Sequence, residues 1–271
     1  MDFQKEIYIK INIHKSERFH MIPKIIHYCW FGRKEMPILI KKCIKSWKTN
    51  LPDYEFKLWN EENFDINSNE WCKSAYLAKK YAFVADYCRL IKLYEYGGVY
   101  LDTDIKLYKS LNKFIYKDQA FMGYERNDTL SMGVMGFPAQ HPIIKELLNY
   151  YKQDFDPIII EKSESNAVIA TKYLANKYGL LCNNSEQYIK DIHIYPKTFF
   201  NPMDFWGNWD KSKDTICVHL YMGSWLPQNE QKKLRYRKTF LFKICKFIWE
   251  KVKNITIFKY IRNYLMRKNI I

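Results

Sequence analysis

No stretch of this chain reaches the roughly 18–20 consecutive apolar residues that a membrane-spanning helix needs. The first twenty residues, Met1–His20, contain no apolar core of signal-peptide length. Neither a spanning helix nor secretion is therefore expected. Seven cysteines occur, Cys29, Cys43, Cys72, Cys88, Cys182, Cys217 and Cys245, an odd number with no C-x-x-C pair. That spacing argues against a zinc site or a disulfide framework and for free thiols in a reducing cytosol. Sequons such as Asn254-Ile255-Thr256 carry no meaning without secretion.

Acidic residues are scarce at one end. Gln231–Ile271 holds a single one, Glu250, against thirteen Lys and Arg, a net +12, while the first 230 residues come to only +3 of the chain's +15. Apolar positions Leu241, Ile244, Ile248, Val252, Ile255, Phe258, Ile261 and Leu265 recur between the basic ones. This is a basic amphipathic helical pattern, of the kind that lies in a membrane interface and is attracted to anionic lipid. Packing on the body or on a partner protein is the alternative. Nucleic acid is not expected, because no recognised RNA- or DNA-binding module accompanies the charge. Residues 1–230 read as one catalytic domain and 231–271 as this tail. Over the whole chain, 48% hydrophobic and 17% aromatic content marks a folded α/β protein large enough for one sizeable core. The rings suit sugar stacking and core packing equally.

The most informative stretch is Ala85–Tyr108, A-D-Y-C-R-L-I-K-L-Y-E-Y-G-G-V-Y-L-D-T-D-I-K-L-Y. Phe83, Tyr87, Leu90 and Tyr94 recur at helical spacing within a helix read over 71–96. Gly97-Gly98 ends it, and Val99-Tyr100-Leu101 begins a strand. Asp102 and Asp104 flank Thr103 at its end. In a strand, positions i and i+2 share a side, and two carboxylates on one side call for a compensating cation. A hard divalent ion such as Mn²⁺ or Mg²⁺, shared with substrate phosphates, answers that need. Asp86 and Arg89, three apart on the helix, share a face; Arg89 either holds Asp86 or meets a phosphate or sugar hydroxyl. Taken singly, a D-x-D is common in solvated loops and Asp86–Arg89 is an ordinary helix pair. The ordered string of A-D-x-x-R, G-G, apolar strand and D-x-D is more specific.

That string resembles glycosyltransferase family 32, the DXD sugar-binding-region family, which holds yeast mannosyltransferases and bacterial capsular and exopolysaccharide enzymes; the clostridial glucosylating toxins are similar in the same stretch. The resemblance implies a GT-A, Rossmann-like fold with a mixed central sheet, a nucleotide-sugar donor, Mn²⁺ or Mg²⁺, and transfer with retention. Further segments extend it. Ile22-Pro-Lys-Ile-Ile-His-Tyr-Cys-Trp-Phe-Gly32 reads as the first core strand, with Tyr28 and Trp30 at its ligand end; the family's stacking tryptophan maps to Trp30. Arg33 stands where a second glycine is common. Core packing is the alternative for Trp30 and His27. Tyr54–Trp59 reads as a second strand and Pro37–Trp47 as a helix. Ala120–Tyr124 and Met132–Gly136 read as strands around a polar loop, Glu125–Ser131. His141-Pro142 opens a helix, in a structural role. Asn166 begins helix 167–178, where a cap is the simple reading and approach to the donor sugar the implied one. Ile216-Cys-Val-His-Leu-Tyr-Met-Gly-Ser-Trp225 matches the family's strand, His, then Ser-Trp. His219 is implied as a third metal ligand, with Ser224 and Trp225 over the donor.

The resulting expectation is a metal-dependent, retaining glycosyltransferase. Asp86, Arg89, Asp102 and Asp104 are its catalytic set, and Asp102, Asp104 and His219 its metal ligands. Tyr28, Trp30, Asp86, Arg89, Thr103, Asn166, Ser224 and Trp225 line the nucleotide-sugar. UDP-hexose is favoured over GDP-mannose, and the acceptor is a glycan or glycolipid, lipid-linked, at the inner face of the plasma membrane, where the tail would dock. Rivals are a toxin-like protein glycosyltransferase and a non-catalytic, membrane-docked carbohydrate-binding module. A haloacid-dehalogenase-like phosphatase also uses D-x-D, but near its N-terminus and without Lys106 at the position after Ile105.

Overall fold

The computed structural model describes residues 21–117, 119–152, 165–205 and 207–223. Residues 1–20, the tail 231–271, Ser224 and Trp225 lie outside the described residues. The described residues up to Asp204 together with Trp209–Tyr221 form one compact unit, to which the elements below belong.

The strands are β1 (Ile25–Cys29), β2 (Glu55–Trp59), β3 (Gly98–Leu101), β4 (Ile105–Leu107), β5 (Ala120–Tyr124), β6 (Leu130–Phe137), β7 (Gln187–Ile189), β8 (Ile192–Tyr195) and β9 (Cys217–His219). Among them run helices α1 (Ile38–Asn50), α2 (Glu70–Leu77), α3 (Tyr81–Tyr96), α4 (Asn112–Lys117), α5 (Pro142–Leu148), α6 (Asn166–Tyr178) and α7 (Lys197–Phe200). Seven strands form one sheet in the order β2-β1-β3-β6-β5-β8-β7, and β4 pairs with β9 in a separate ribbon. β1 lies parallel to β2 and β3, and β5 parallel to β8, while β6 is antiparallel to both β3 and β5. The expected α/β class and mixed central sheet are thus found. The carboxyl ends of β1, β3, β5 and β8 share one edge, which is where ligands sit in open α/β sheets.

Both faces of the sheet are covered, and β3 shows why. Val99 and Leu101 point into a core with Ile26, Trp47, Val134 and Phe200, whereas Tyr100 points into the other with Leu90, Leu93, Met135 and Ile144. The period-2 alternation of a strand buries every side chain when both faces carry helices. α1 also fixes the ribbon: Trp47 Nε1 donates to Ile105 O at 2.6 Å, and Leu107 N to Ser46 Oγ at 3.0 Å.

The single helix read over 71–96 is two. α2 stops at Ala78, Lys79 takes φ 59°, and Lys80 N bonds back to Ala75 O. This is a left-handed helix stop of the type usually built on glycine, made here by lysine. The Gly97-Gly98 stop stands as read. A Cβ on Gly97 would lie 2.5 Å from Ala139 N, and one on Gly98 2.7 Å from Ile25 O, both at positive φ. Arg33, where the resemblance led to the expectation of a glycine, likewise takes φ 57°.

Candidate active site

Arg89 is the hub. It lies on α3 with only 6% of its surface exposed. Nη2 meets Asp86 Oδ1 at 2.8 Å and Asp102 Oδ1 at 3.3 Å, and Nη1 donates to Met132 O at 2.7 Å. Its guanidinium lies 4.6 Å from the centre of the Tyr100 ring, whose hydroxyl donates to Asp102 Oδ1 at 3.0 Å. A planar, five-donor cation is suited to join two carboxylates and a carbonyl at once. Sequence left Arg89 two roles; the structure gives it the first and extends it, since the side chain is spent holding Asp86 and Asp102 rather than reaching outward. Asp86 also accepts from Asn166 Nδ2 at 2.7 Å. Burial pushes the Asp86 carboxyl up to about 6, against the pull of Arg89.

The D-x-D does not share one side of a strand, as the spacing led us to expect. β3 ends at Leu101, and Ile105 N donates back to Asp102 O at 2.9 Å, so Asp102–Ile105 is a turn with Thr103 near its tip. A turn breaks the period of two. Asp102 keeps the Tyr100 side and faces Arg89, while Asp104 turns to β9, where its Oδ1 lies 3.1 Å from His219 Nε2. The pairing of Ile105 with His219, and Leu220 N donating to Asp104 O at 3.0 Å, hold the two segments in register. Burial lowers the proton affinity of His219, but Asp104 outweighs it and raises its pKa to about 9.

The other expected residues divide. Asn166 is not the cap of α6; Ser165 Oγ caps it by accepting from Val168 N, which leaves the Asn166 amide for Asp86. Tyr28, expected at the ligand end, is a core residue, edge-on to Trp47 at 5.3 Å and 8% exposed. Trp30 follows β1 half-buried, its Nε1 donating to Lys34 O at 2.6 Å. His141 caps α5 by accepting from Ile143 N, as read.

Three residues escaped the sequence reading. Gly133 packs so closely on the turn that a Cβ there would lie 2.5 Å from Asp102 Oδ2. Glu125, at the carboxyl end of β5, is buried enough to be pushed above the usual carboxyl range, against the pull of His219. Glu125 and Tyr221 shift each other's proton affinity across this end of the sheet, that of Glu125 downward and that of Tyr221 upward. Tyr221 in turn stacks on His219, ring centres 4.1 Å apart at 25°. Position at the ligand end of a strand was a signal available for Glu125; nothing in the sequence pointed to Gly133 or Tyr221.

Among the described residues, no three His, Cys, Asp or Glu side chains gather into a cage for a metal ion. A small divalent ion does not require one, since it is commonly held by one or two carboxylates plus substrate phosphates. Adjacent ligands on an octahedral ion with bonds of about 2.1 Å sit about 3 Å apart. The 3.1 Å between Asp104 Oδ1 and His219 Nε2 fits two neighbouring positions on one ion. The donor set present therefore fits a divalent metal, with Asp104 and His219 as its nearest pair.

A mixed α/β sheet carrying this acidic turn at the carboxyl ends of its strands defines a ligand-binding α/β domain of the Rossmann-like class. Residues 37–121 match the family described as glycosyltransferase sugar-binding region containing DXD motif. The chain is 33% identical over 137 residues to inositol phosphoceramide mannosyltransferase 3 of Schizosaccharomyces pombe, covering 49% of this chain and 38% of that protein. An uncharacterized glycosyltransferase of Acanthamoeba polyphaga mimivirus is 25% identical over 241 residues, covering 82% and 90%. The chain thus spans well under half the length of the fission-yeast relative. Among solved structures, PaToxG glycosyltransferase aligns over 65% of this chain and 80% of its own, at 18% identity and a TM-score of 0.46.

Proposed function

We propose that the protein is a divalent-metal-dependent glycosyltransferase that moves a hexose from a nucleotide-sugar to a glycolipid or other lipid-linked glycan acceptor, with retention. The observation that carries this reading is the Asp102–Ile105 turn, tied on one side to Asp86 through Arg89 and on the other to His219. It presents acidic and imidazole donors at the ligand end of a sheet, and the matched family is defined by that motif.

When bound, the ion would neutralise charge building on the departing nucleoside diphosphate. Asp104 and His219 would hold it, with Asp102 beside them. Asp86, fixed by Arg89 and Asn166, would accept hydrogen bonds from hydroxyls of the donor sugar. Such groups need no reorganisation during transfer, which is where preorganised sites gain most. The sequence offers no nucleophile with a clear role in double displacement. The reading is therefore front-face transfer, in which the departing phosphate takes the acceptor's proton.

The name of the fission-yeast relative, an inositol phosphoceramide mannosyltransferase, supports a mannosyl donor beside the UDP-hexose favoured from the sequence, and supports a lipid acceptor. A lipid-linked sugar in capsular or exopolysaccharide synthesis is one acceptor of that kind. The tail 231–271 would dock the catalytic domain on anionic lipid at the inner membrane face, near such an acceptor.

The test is a panel of UDP-hexoses and GDP-mannose, with and without Mn²⁺, read as released nucleoside diphosphate. Metal-dependent release from one donor, lost in Asp102→Ala/Asp104→Ala, is the expected result. No release from any donor, together with no metal-dependent nucleotide binding, would overturn the reading. Cosedimentation with phosphatidylserine vesicles, lost on deletion of 231–271, tests the tail.

A further inference from the structure

The geometry points to a membrane-contact patch on the domain that carries the acidic turn, built from Tyr108, Trp209 and the lysines around them, whose partner is an anionic lipid surface. The inference rests on the lipid-linked acceptor read above, and it adds a second contact to the one assigned there to the tail.

Two segments make the patch. The first continues β4, where Ile105 and Leu107 are buried and Lys106 between them is exposed. Just beyond the strand, Tyr108 is 39% exposed. The second is the segment 209–215 leading into β9, where Trp209 is 47% exposed. A single exposed ring needs no explanation, whereas grouped apolar surface does. Lys211 joins these two rings, its Nζ 5.3 Å from the centre of Tyr108 and 5.0 Å from that of Trp209. Lys106 adds a second ammonium 5.4 Å from the Tyr108 ring.

The rings stand on anchored backbone. Tyr108 N donates to Ile216 O at 2.8 Å, and Asp210 N to Pro202 O at 2.6 Å. Trp209 forms an antiparallel bridge with Met203. Lys109 Nζ donates to Lys213 O, which ties the two segments together. Of the two carboxylates in 209–215, Asp210 is paired with Lys197 at 3.3 Å, so the exposed lysines 106, 109, 211 and 213 leave the patch positive.

Tryptophan and tyrosine concentrate at the membrane–water boundary, where an apolar ring and a polar tip are both satisfied. Lysine lays its stem along apolar surface and keeps its charge at the end, where anionic headgroups attract it. Position favours lipid over a soluble polyanion. Asp104 and Tyr108 lie at opposite ends of β4, four residues and so at most about 13 Å apart along the strand. A lipid surface held at the rings would bring headgroup sugars, rather than acyl chains, to the acidic turn.

The experiment measures binding of the full chain to phosphatidylcholine vesicles with and without phosphatidylserine. Lys106→Ala/Lys211→Ala should weaken binding to the anionic vesicles about tenfold, as expected for two basic side chains near such a surface. Tyr108→Ala/Trp209→Ala should weaken it on the same vesicles, while Trp209→Phe, which keeps a ring, should retain most of it. Urea midpoints of all variants should match the wild type, since the altered side chains are exposed. Vesicles of lipid brominated in the acyl chains should quench part of the tryptophan emission, and that part should vanish in Trp209→Phe.

Unchanged vesicle binding in both double variants would overturn the patch, even if deletion of 231–271 abolished binding and so upheld the tail. Heparin retention lost in the lysine variant, with no quenching of Trp209, would make the patch a site for a soluble polyanion and overturn it as well. Absence of wild-type binding to anionic vesicles would overturn patch and tail together. Metal-dependent release of nucleoside diphosphate, which needs no lipid, reports separately on the transferase reading.

Discussion

Arg89 and Asp102 meet at 3.3 Å inside the protein, the guanidinium from the helix before the glycine stop and the carboxylate from the turn after the strand. The same nitrogen reaches Asp86 at 2.8 Å, so one buried cation sets the distance between the helix carboxylate and the D-x-D. Removing one partner of a buried ion pair leaves an uncompensated charge and costs about 3–5 kcal/mol. Arg89→Ala should therefore lower stability by that order and abolish donor hydrolysis. Arg89→Lys should keep the charge but not the fork, retaining more stability than activity. Urea unfolding beside nucleoside diphosphate release separates the two; equal activity in Arg89→Lys would show that the fork is not needed.

Gly133 lies under Asp102 with no room for a methyl group, since a Cβ would stand 2.5 Å from Oδ2. Its carbonyl also accepts from Asp102 N at 2.8 Å. Gly133→Ala should displace the carboxylate while leaving the strand paired. A misplacement of about 1 Å at a reacting centre can cost about 100-fold in rate. We expect a loss of that order in metal-dependent hydrolysis with only a small change in melting temperature. A normal rate would show that Asp102 can move without consequence.

These relationships also show what sequence could reveal. The glycine stop, the apolar strand and the D-x-D were legible because each rests on a local rule of backbone conformation or alternation. His219 was legible only through family resemblance, because its partnership with Asp104 depends on the β4–β9 pairing, which no local pattern encodes. The break between α2 and α3 was hidden because lysine occupies the left-handed stop. The turn at Asp102–Ile105 was misread as strand because Ile105–Leu107 continues the β pattern beyond it. Gly133 acts across the sheet, and its closeness to Asp102 appears only once β3 and β6 are paired.

His27 is buried, its Nε2 donating to Gly97 O at 2.8 Å and its Nδ1 accepting from Trp59 Nε1 at 3.1 Å. Both nitrogens are used by the neutral ring, and burial lowers its pKa from 6.5 to about 4. A group whose folded pKa is depressed contributes stability above its unfolded pKa and loses it as pH falls toward the folded one. Between pH 7.5 and pH 5 this one residue should withdraw about 2 kcal/mol. Urea midpoints across that window, for wild type and His27→Gln, should differ in slope by that amount; parallel pH profiles would contradict it.

Asn166 supplies the last test, because it touches Asp86 from a different element than Arg89 does. Its Nδ2 donates at 2.7 Å to the same Oδ1 that Arg89 binds. Asn166→Ala removes one of two donors on a buried carboxylate, worth about 1.5–3 kcal/mol for a charged partner. If Asp86 binds the donor sugar, the loss should appear mainly as a raised KM for the nucleotide-sugar. Asn166→Asp should be worse than Asn166→Ala, since a second carboxylate beside Asp86 opposes its ionisation, and its deficit should grow as pH falls from 8 to 6. If Asn166 served only to start α6, the order would reverse: aspartate is favoured near a helix N-terminus, so Asn166→Asp would be the milder change and its activity would not depend on pH in that range.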